Sequence, residues 1–142
     1  MSRVRDILHQ RAVFHVEETD TVADVASRMS ELKVGAILVL RDGELRGVFS
    51  ERDLMTRVVL GRLDPEVTPV SQVMTRTITT VEDSASLDEA MEKMREHNCR
   101  HLPVLHENKV YGFLSMRDLM NFELESKTEE LHHMRAYIHG SA

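Results

Sequence analysis

The chain has 142 residues, 18 Lys and Arg against 24 Asp and Glu for a formal charge of −6, and a single cysteine. That length suits one compact domain, or two small halves sharing a core. The negative balance, with no basic run, has the wrong sign for a nucleic-acid groove or an anionic membrane surface, and no apolar run is long enough to span a bilayer.

No charged-then-apolar segment follows Met1, so a cytoplasmic protein is expected, with no nucleic-acid or membrane partner. Cys99 has no second cysteine to pair with, which makes small core filler its expected role.

In chain order, Val4, Ile7 and Leu8 form an apolar lead-in expected to belong to the first half. Val13 to Val16 is a short β-prone run. Val22, Val25, Ala26 and Met29 then recur at helical spacing behind Thr21, which stands where an N-cap would. Ala36 to Leu40 and Leu45 to Phe49 flank Asp42-Gly43, a hairpin signal, and a helix carrying Leu54 and Val58 opens at Ser50. Gly61 to Pro69 reads as a linker, with two prolines outside any apolar pattern.

The same order then returns. Val70, Val73 and Met74 are the second lead-in, and Ile78 to Val81 the next β-prone run. Leu87, Ala90, Met91 and Met94 follow Ser86 at helical spacing. Leu102 to Leu105 turns through Glu107-Asn108 into Val110 to Leu114, and a helix with Leu119 and Phe122 opens at Ser115. Phe122 to Ile138 mixes apolar and charged residues, as expected of a C-terminal helical tail.

Val16 to Met55 aligns with Val81 to Met120 without a gap, at a constant offset of 65, most densely at Gly47-Val48-Phe49-Ser50-Glu51-Arg52-Asp53 and Gly112-Phe113-Leu114-Ser115-Met116-Arg117-Asp118. A duplicated unit implies two pseudo-equivalent halves and two pseudo-equivalent sites. The expected organisation is repeat 1 over 4–60, a linker over 61–69, repeat 2 over 70–123 and an extension over 124–142. Helices on strands throughout make the class α/β (α+β).

Ser50 and Ser115 each end a strand and begin a helix, where unpaired N–H groups and partial positive charge favour phosphate. Asp53 and Asp118, three residues on, are acceptors suited to the paired hydroxyls of a ribose. Arg52 and Arg117 can add charge-assisted bonds to phosphate. The same residues also suit a capping box that needs no ligand. Arg57, one turn past Asp53, can pair with that carboxylate or reach a phosphate. Adjacent His132 and His133 point about 100° apart on a helix and lack partners at ligand spacing, so no metal site is expected.

The duplicated strand-helix-strand-strand-helix unit, the run Arg100-His101-Leu102-Pro103-Val104 and the paired Gly-apolar-apolar-Ser-x-x-Asp endings resemble the cystathionine β-synthase (CBS) domain, here as a stand-alone tandem pair over about Val4 to Glu123. The resemblance implies two pseudo-twofold βαββα repeats packed through their sheets, with two clefts between them. It implies adenosine-containing ligands such as AMP, ADP, ATP, NAD(H) or S-adenosylmethionine, and a disc-like homodimer. It assigns ribose and phosphate to Ser50, Asp53, Ser115 and Asp118.

On the same resemblance, adenine meets Val13, Phe14, Val34 and Gly35 in one cleft, and Thr77, Ile78, Thr79, Cys99 and Arg100 in the other. Each base is expected to meet residues of the other half. Arg100 and His101 stand opposite Gly35 and Ala36, so only one copy is expected to supply a basic residue near phosphate, leaving unequal sites. Both also have plain readings, Arg100 as a solvated strand-start charge and His101 as a structural histidine.

Three function classes follow: a nucleotide-sensing regulatory module, an enzyme, and a dimerisation scaffold whose Ser and Asp only cap helices. An enzyme is not expected, since no catalytic triad context, metal cluster or phosphate loop is present and no catalytic cofactor is implied. Regulatory output is expected to act in trans on an unidentified protein target, through the dimer, or by buffering ligand.

Overall fold

The computed structural model describes residues 2–9 and 11–139, so Met1 and the last three residues of the expected extension lie outside it. Each half builds a small three-stranded sheet with its middle strand in the hairpin. In the first, β1 (His15–Glu17) runs parallel to β2 (Ala36–Arg41), which pairs antiparallel with β3 (Glu44–Ser50). In the second, β4 (Val81–Glu82), β5 (His101–His106) and β6 (Lys109–Ser115) repeat the pattern.

Both hairpin turns need two successive left-handed residues, the geometry that matches strand twist. Asp42 and Gly43 supply φ of 50° and 82°, and Glu107 and Asn108 supply 49° and 66°. The helices of the two units, α2 (Val22–Leu32) and α4 (Leu87–Glu96), start where expected. Thr21 accepts from the Asp24 amide at 3.3 Å and Ser86 from the Glu89 amide at 3.1 Å.

The first strands begin later than the β-prone runs, leaving Val13–Phe14 and Thr77–Thr79 as irregular chain. In repeat 1 the parallel ladder starts at His15 opposite Leu38. The counterpart of Leu38 is Pro103, which brings no N–H to that edge, and the ladder starts one residue later, at Val81 opposite Val104. The freed Thr80 carbonyl accepts from the Lys93 ammonium at 2.7 Å.

The lead-ins correct the expectation that each belongs to the half it precedes. They are exchanged. The first, α1 (Val4–Leu8), buries Val4, Ile7 and Leu8 among Val81, Ala90, Met94, Leu102, Leu114 and Leu119 of the second half. A 3₁₀ turn at Val70–Gln72, with Val73 and Met74, closes the core of Val16, Val22, Val25, Ile37 and Phe49 in the first half. The apolar pattern announced burial but not which surface would supply it.

The expected linker is not loose either. The Val22 amide donates to the Thr68 carbonyl and the Ala23 amide to the Pro65 carbonyl, both at 2.9 Å, and Thr68 is buried.

Gly47 is where the exchange is tightest. Thr75 pairs with Val48 as an antiparallel bridge, and a Cβ on Gly47 would lie 2.9 Å from the Thr75 carbonyl oxygen and 2.6 Å from the Met74 sulfur. At Gly112 the nearest atom, at 2.9 Å, is the end of the flexible Leu8 side chain. Gly47→Ala is therefore expected to cost about 1–3 kcal/mol, and Gly112→Ala less. Urea unfolding of both variants tests the order, and equal losses would refute it.

The two helices that leave the hairpins differ. After Ser50 a single α turn, α3 (Glu51–Asp53), passes into a π-helical stretch at Leu54–Val59. After Ser115 one continuous helix, α5 (Met116–His139), takes in both the expected second helix and the expected tail. Leu119 is buried in the core, whereas Leu124, Leu131 and Met134 are exposed.

Candidate functional site

Both Ser-x-x-Asp segments close on themselves. At the end of β3, the Ser50 hydroxyl accepts from the Asp53 amide at 3.2 Å, and the Asp53 carboxylate accepts from the Ser50 amide and hydroxyl, each at 3.1 Å. At the end of β6, the Ser115 hydroxyl accepts from the Asp118 amide at 3.0 Å and Asp118 from the Ser115 amide at 2.9 Å. The capping reading is thus realised in both copies, with Asp closing the box that a longer Glu or Gln more often closes.

The carboxylates differ in what else holds them. Asp53 also accepts from the Thr75 hydroxyl at 3.1 and 3.3 Å, and Arg57 lies 3.5 Å away, forming the salt bridge that the helical spacing allows. Only 7% of Asp53 is exposed. Asp118 has one further partner, the Arg11 guanidinium at 2.8 Å, whose side chain is half exposed. Burial pushes the Asp118 carboxyl up, but the Arg11 guanidinium and the Ser115 amide and hydroxyl outweigh it and hold it below the usual carboxylate value.

Two open crevices, of about 1330 and 1310 Å³, flank the junction of the halves. The first brings Ser50, Arg52 and Asp53 against Thr77, Ile78, Thr79, Cys99 and α4. The second brings Ser115, Arg117 and Asp118 against Val13, Phe14, Val34 and α2. In each, the irregular chain before one repeat meets the Ser-x-x-Asp segment of the other, which is the cross-half pairing expected of the clefts.

Gly35, Ala36, Arg100 and His101 line both crevices. Arg100 and His101 come from the second repeat alone, yet they border both crevices. His101 also stacks on Phe113 with ring centroids 5.2 Å apart. Burial raises the Cys99 thiol above its ordinary value.

Sequence reasoning missed Arg11, Thr75 and Lys33 as crevice or site-contact residues. Extending the repeat register upstream of Val16 would have aligned Arg11 with Arg76, although only Arg11 reaches an aspartate; Arg76 bonds the Ser71 carbonyl at 2.8 Å.

Acidification should act on two of these groups in the same direction. Burial and the nearby Arg100 lower the His101 pKa from its ordinary 6.5, partly offset by Asp118. The unfolded chain therefore takes up a proton first, and stability is lost as pH falls below about 6.5. Asp118, held low in the fold, contributes stability above about 4 that is lost as pH falls further. Melting temperature measured from pH 8 to 3 should fall in these two windows, and His101→Gln should flatten the upper one alone. An unchanged upper window in that variant would remove His101 as its cause.

Comparison with known proteins agrees with this architecture. The CBS-domain family model matches residues 4–60 and 70–125. The CBS domain-containing protein YhcV of Bacillus subtilis is 34% identical over 119 residues, spanning 84% of each chain. The mitochondrial CBSX3 protein of Arabidopsis thaliana is 31% identical over 126 residues, and the match spans 85% of this chain and 61% of that protein.

Among solved structures, a protein with CBS domains from Burkholderia ambifaria superposes with a TM-score of 0.82 at 36% identity, covering 87% of this chain and 95% of that one. A CBS domain protein from Pyrobaculum aerophilum, solved in complex with AMP, has a TM-score of 0.75 at 33% identity, covering 82% and 89%. No helix among the described residues is long and apolar enough to cross a membrane. The duplicated fold and the matched segments together make this chain a member of the CBS-domain family, a tandem pair of CBS repeats.

Proposed function

We propose that the chain is a regulatory module that binds an adenosine-containing nucleotide, from the group of AMP, ADP, ATP and NAD(H), in the crevices between its repeats. One observation carries the reading: Ser115 and Asp118 border an open crevice whose lining also offers apolar Val13, Phe14 and Val34 and the cations Arg100 and Arg117. A base fits against the apolar wall, a ribose at Asp118, and phosphate near the cations and the first turn of α5.

The Arg11 contact on Asp118 is compatible with this role, since an exposed guanidinium can leave the carboxylate for phosphate while sugar hydroxyls replace it. The 33%-identical relative solved with AMP adds support.

Thermal melting with millimolar AMP, ADP, ATP, NAD, NADH and S-adenosylmethionine tests the proposal. Ligand at a hundredfold excess over its dissociation constant stabilises by about 2.7 kcal/mol. Upward shifts are expected with at least one adenine nucleotide, and none with any of them would sink the reading.

A scaffold reading is favoured by the two closed capping boxes, which show that Ser50, Asp53, Ser115 and Asp118 have structural work without ligand. It predicts the same fold with no melting shift. Either way, exposed Met55, Val59, Met120 and Leu124, on the helices leaving the hairpins, support assembly as a homodimer. Sedimentation equilibrium should give twice the 16.3 kDa chain mass.

A further inference from the structure

The two crevices descend from one duplicated unit, yet their charged linings have opposite balance. The second carries Arg11, Lys33 and Arg117 against one carboxylate, Asp118. The first carries Arg52 and Arg95 against three, Asp53, Asp88 and Glu92. Arg100 and Glu51 line both and do not distinguish them.

The difference arises on the walls supplied by α2 and α4. Asp88, Glu92 and Asn98 on and just after α4 stand where Ala23, Ser27 and Lys33 stand on and just after α2. Partnering leaves the difference in place. Arg95 is ion-paired with Glu92 on its own helix. Asp53 is paired with Arg57 and Asp118 with Arg11, which leaves Arg52 and Asp88 in the first crevice and Lys33 and Arg117 in the second, with no ion pair among the described residues.

Charges lining a concave surface act together on an entering ligand over roughly 8 Å at physiological ionic strength. A chain of phosphates entering the first crevice meets Asp88 and Glu92 on the α4 wall. In the second it meets Lys33 and Arg117, with Arg11 freed once ribose occupies Asp118. We infer that the crevices sort adenosine ligands by charge: the Asp118 crevice takes the di- or triphosphate, and the Asp53 crevice takes an adenosine ligand of little or no negative charge. This rests on the nucleotide-binding reading above and assigns a different ligand class to each site.

Titration calorimetry of the full chain with metal-free ATP and, separately, with adenosine tests it. ATP is expected to fill one site per chain and adenosine two. Lys33→Glu with Arg117→Glu should weaken ATP about tenfold or more while leaving adenosine within about twofold. Asp88→Lys with Glu92→Lys should raise the ATP stoichiometry from one to two. All four side chains are exposed, and circular dichroism of each variant checks that the fold is retained.

Equal stoichiometry for ATP and adenosine, with both indifferent to these charge reversals, would overturn the sorting while leaving nucleotide binding intact. Absence of heat and of a melting shift with either ligand would overturn both.

Discussion

Asp53→Ala and Asp118→Ala should separate fold from function although the two residues occupy equivalent positions. Asp53→Ala leaves the Ser50 amide and the Thr75 hydroxyl without their acceptor at a position only 7% exposed. Losing the cap and the buried acceptor is expected to cost about 2–4 kcal/mol. Asp118→Ala loses a cap and a contact to a half-exposed arginine that water can replace, so the fold should lose only about 1–2 kcal/mol.

For ligand the order reverses. Asp118→Ala should weaken the nucleotide in its crevice tenfold or more, about 1.4 kcal/mol or above, by removing the acceptor for ribose hydroxyls. Paired urea titrations and calorimetry give both numbers. Unchanged affinity in Asp118→Ala would remove the ribose role, and equal stability losses would remove the claim that only Asp53 is committed to the fold.

Phe49→Ala should unfold the whole chain early, not one half of it. Phe49 is fully buried in one cluster with Val16, Val25 and Ile37 and with the exchanged Val70, Val73 and Met74. Truncating a buried phenylalanine costs about 3–5 kcal/mol. Because α1 is part of the second core and Val70 to Met74 part of the first, loss of one core releases a segment the other is tied to.

The chain has no tryptophan, and Tyr111 packs against the second core. In a Tyr137→Phe background, tyrosine emission therefore reports that half, while far-ultraviolet circular dichroism reports both. In Phe49→Ala the two signals should move together to lower urea, as one transition. Dichroism that falls first, with emission unmoved, would show that the halves unfold independently in spite of the exchange.

Much of this molecule was written in local pattern. The offset of 65 residues announced two like units, helical spacing behind Thr21 and Ser86 placed α2 and α4, and the apolar runs around Asp42-Gly43 and Glu107-Asn108 placed both hairpins. These depend on contacts a few residues apart, and side-chain periodicity or turn chemistry declares them directly. The Ser-x-x-Asp segments were equally legible, because a cap joins residues three apart.

Distant partners were decided only in three dimensions. Sequence marked Val4, Ile7 and Leu8 for burial, yet only the folded chain chose the second core for them, because apolar attraction is non-directional and carries no address. It placed Asp53 and Asp118 identically, but the approach of Thr75 and Arg57 to one and of Arg11 to the other tied the first carboxylate to two further partners and left the second with a single half-exposed arginine. It set Arg100 and His101 in one repeat, and the packing of the halves brought them to the border of both crevices, since each crevice is formed only where the two halves meet.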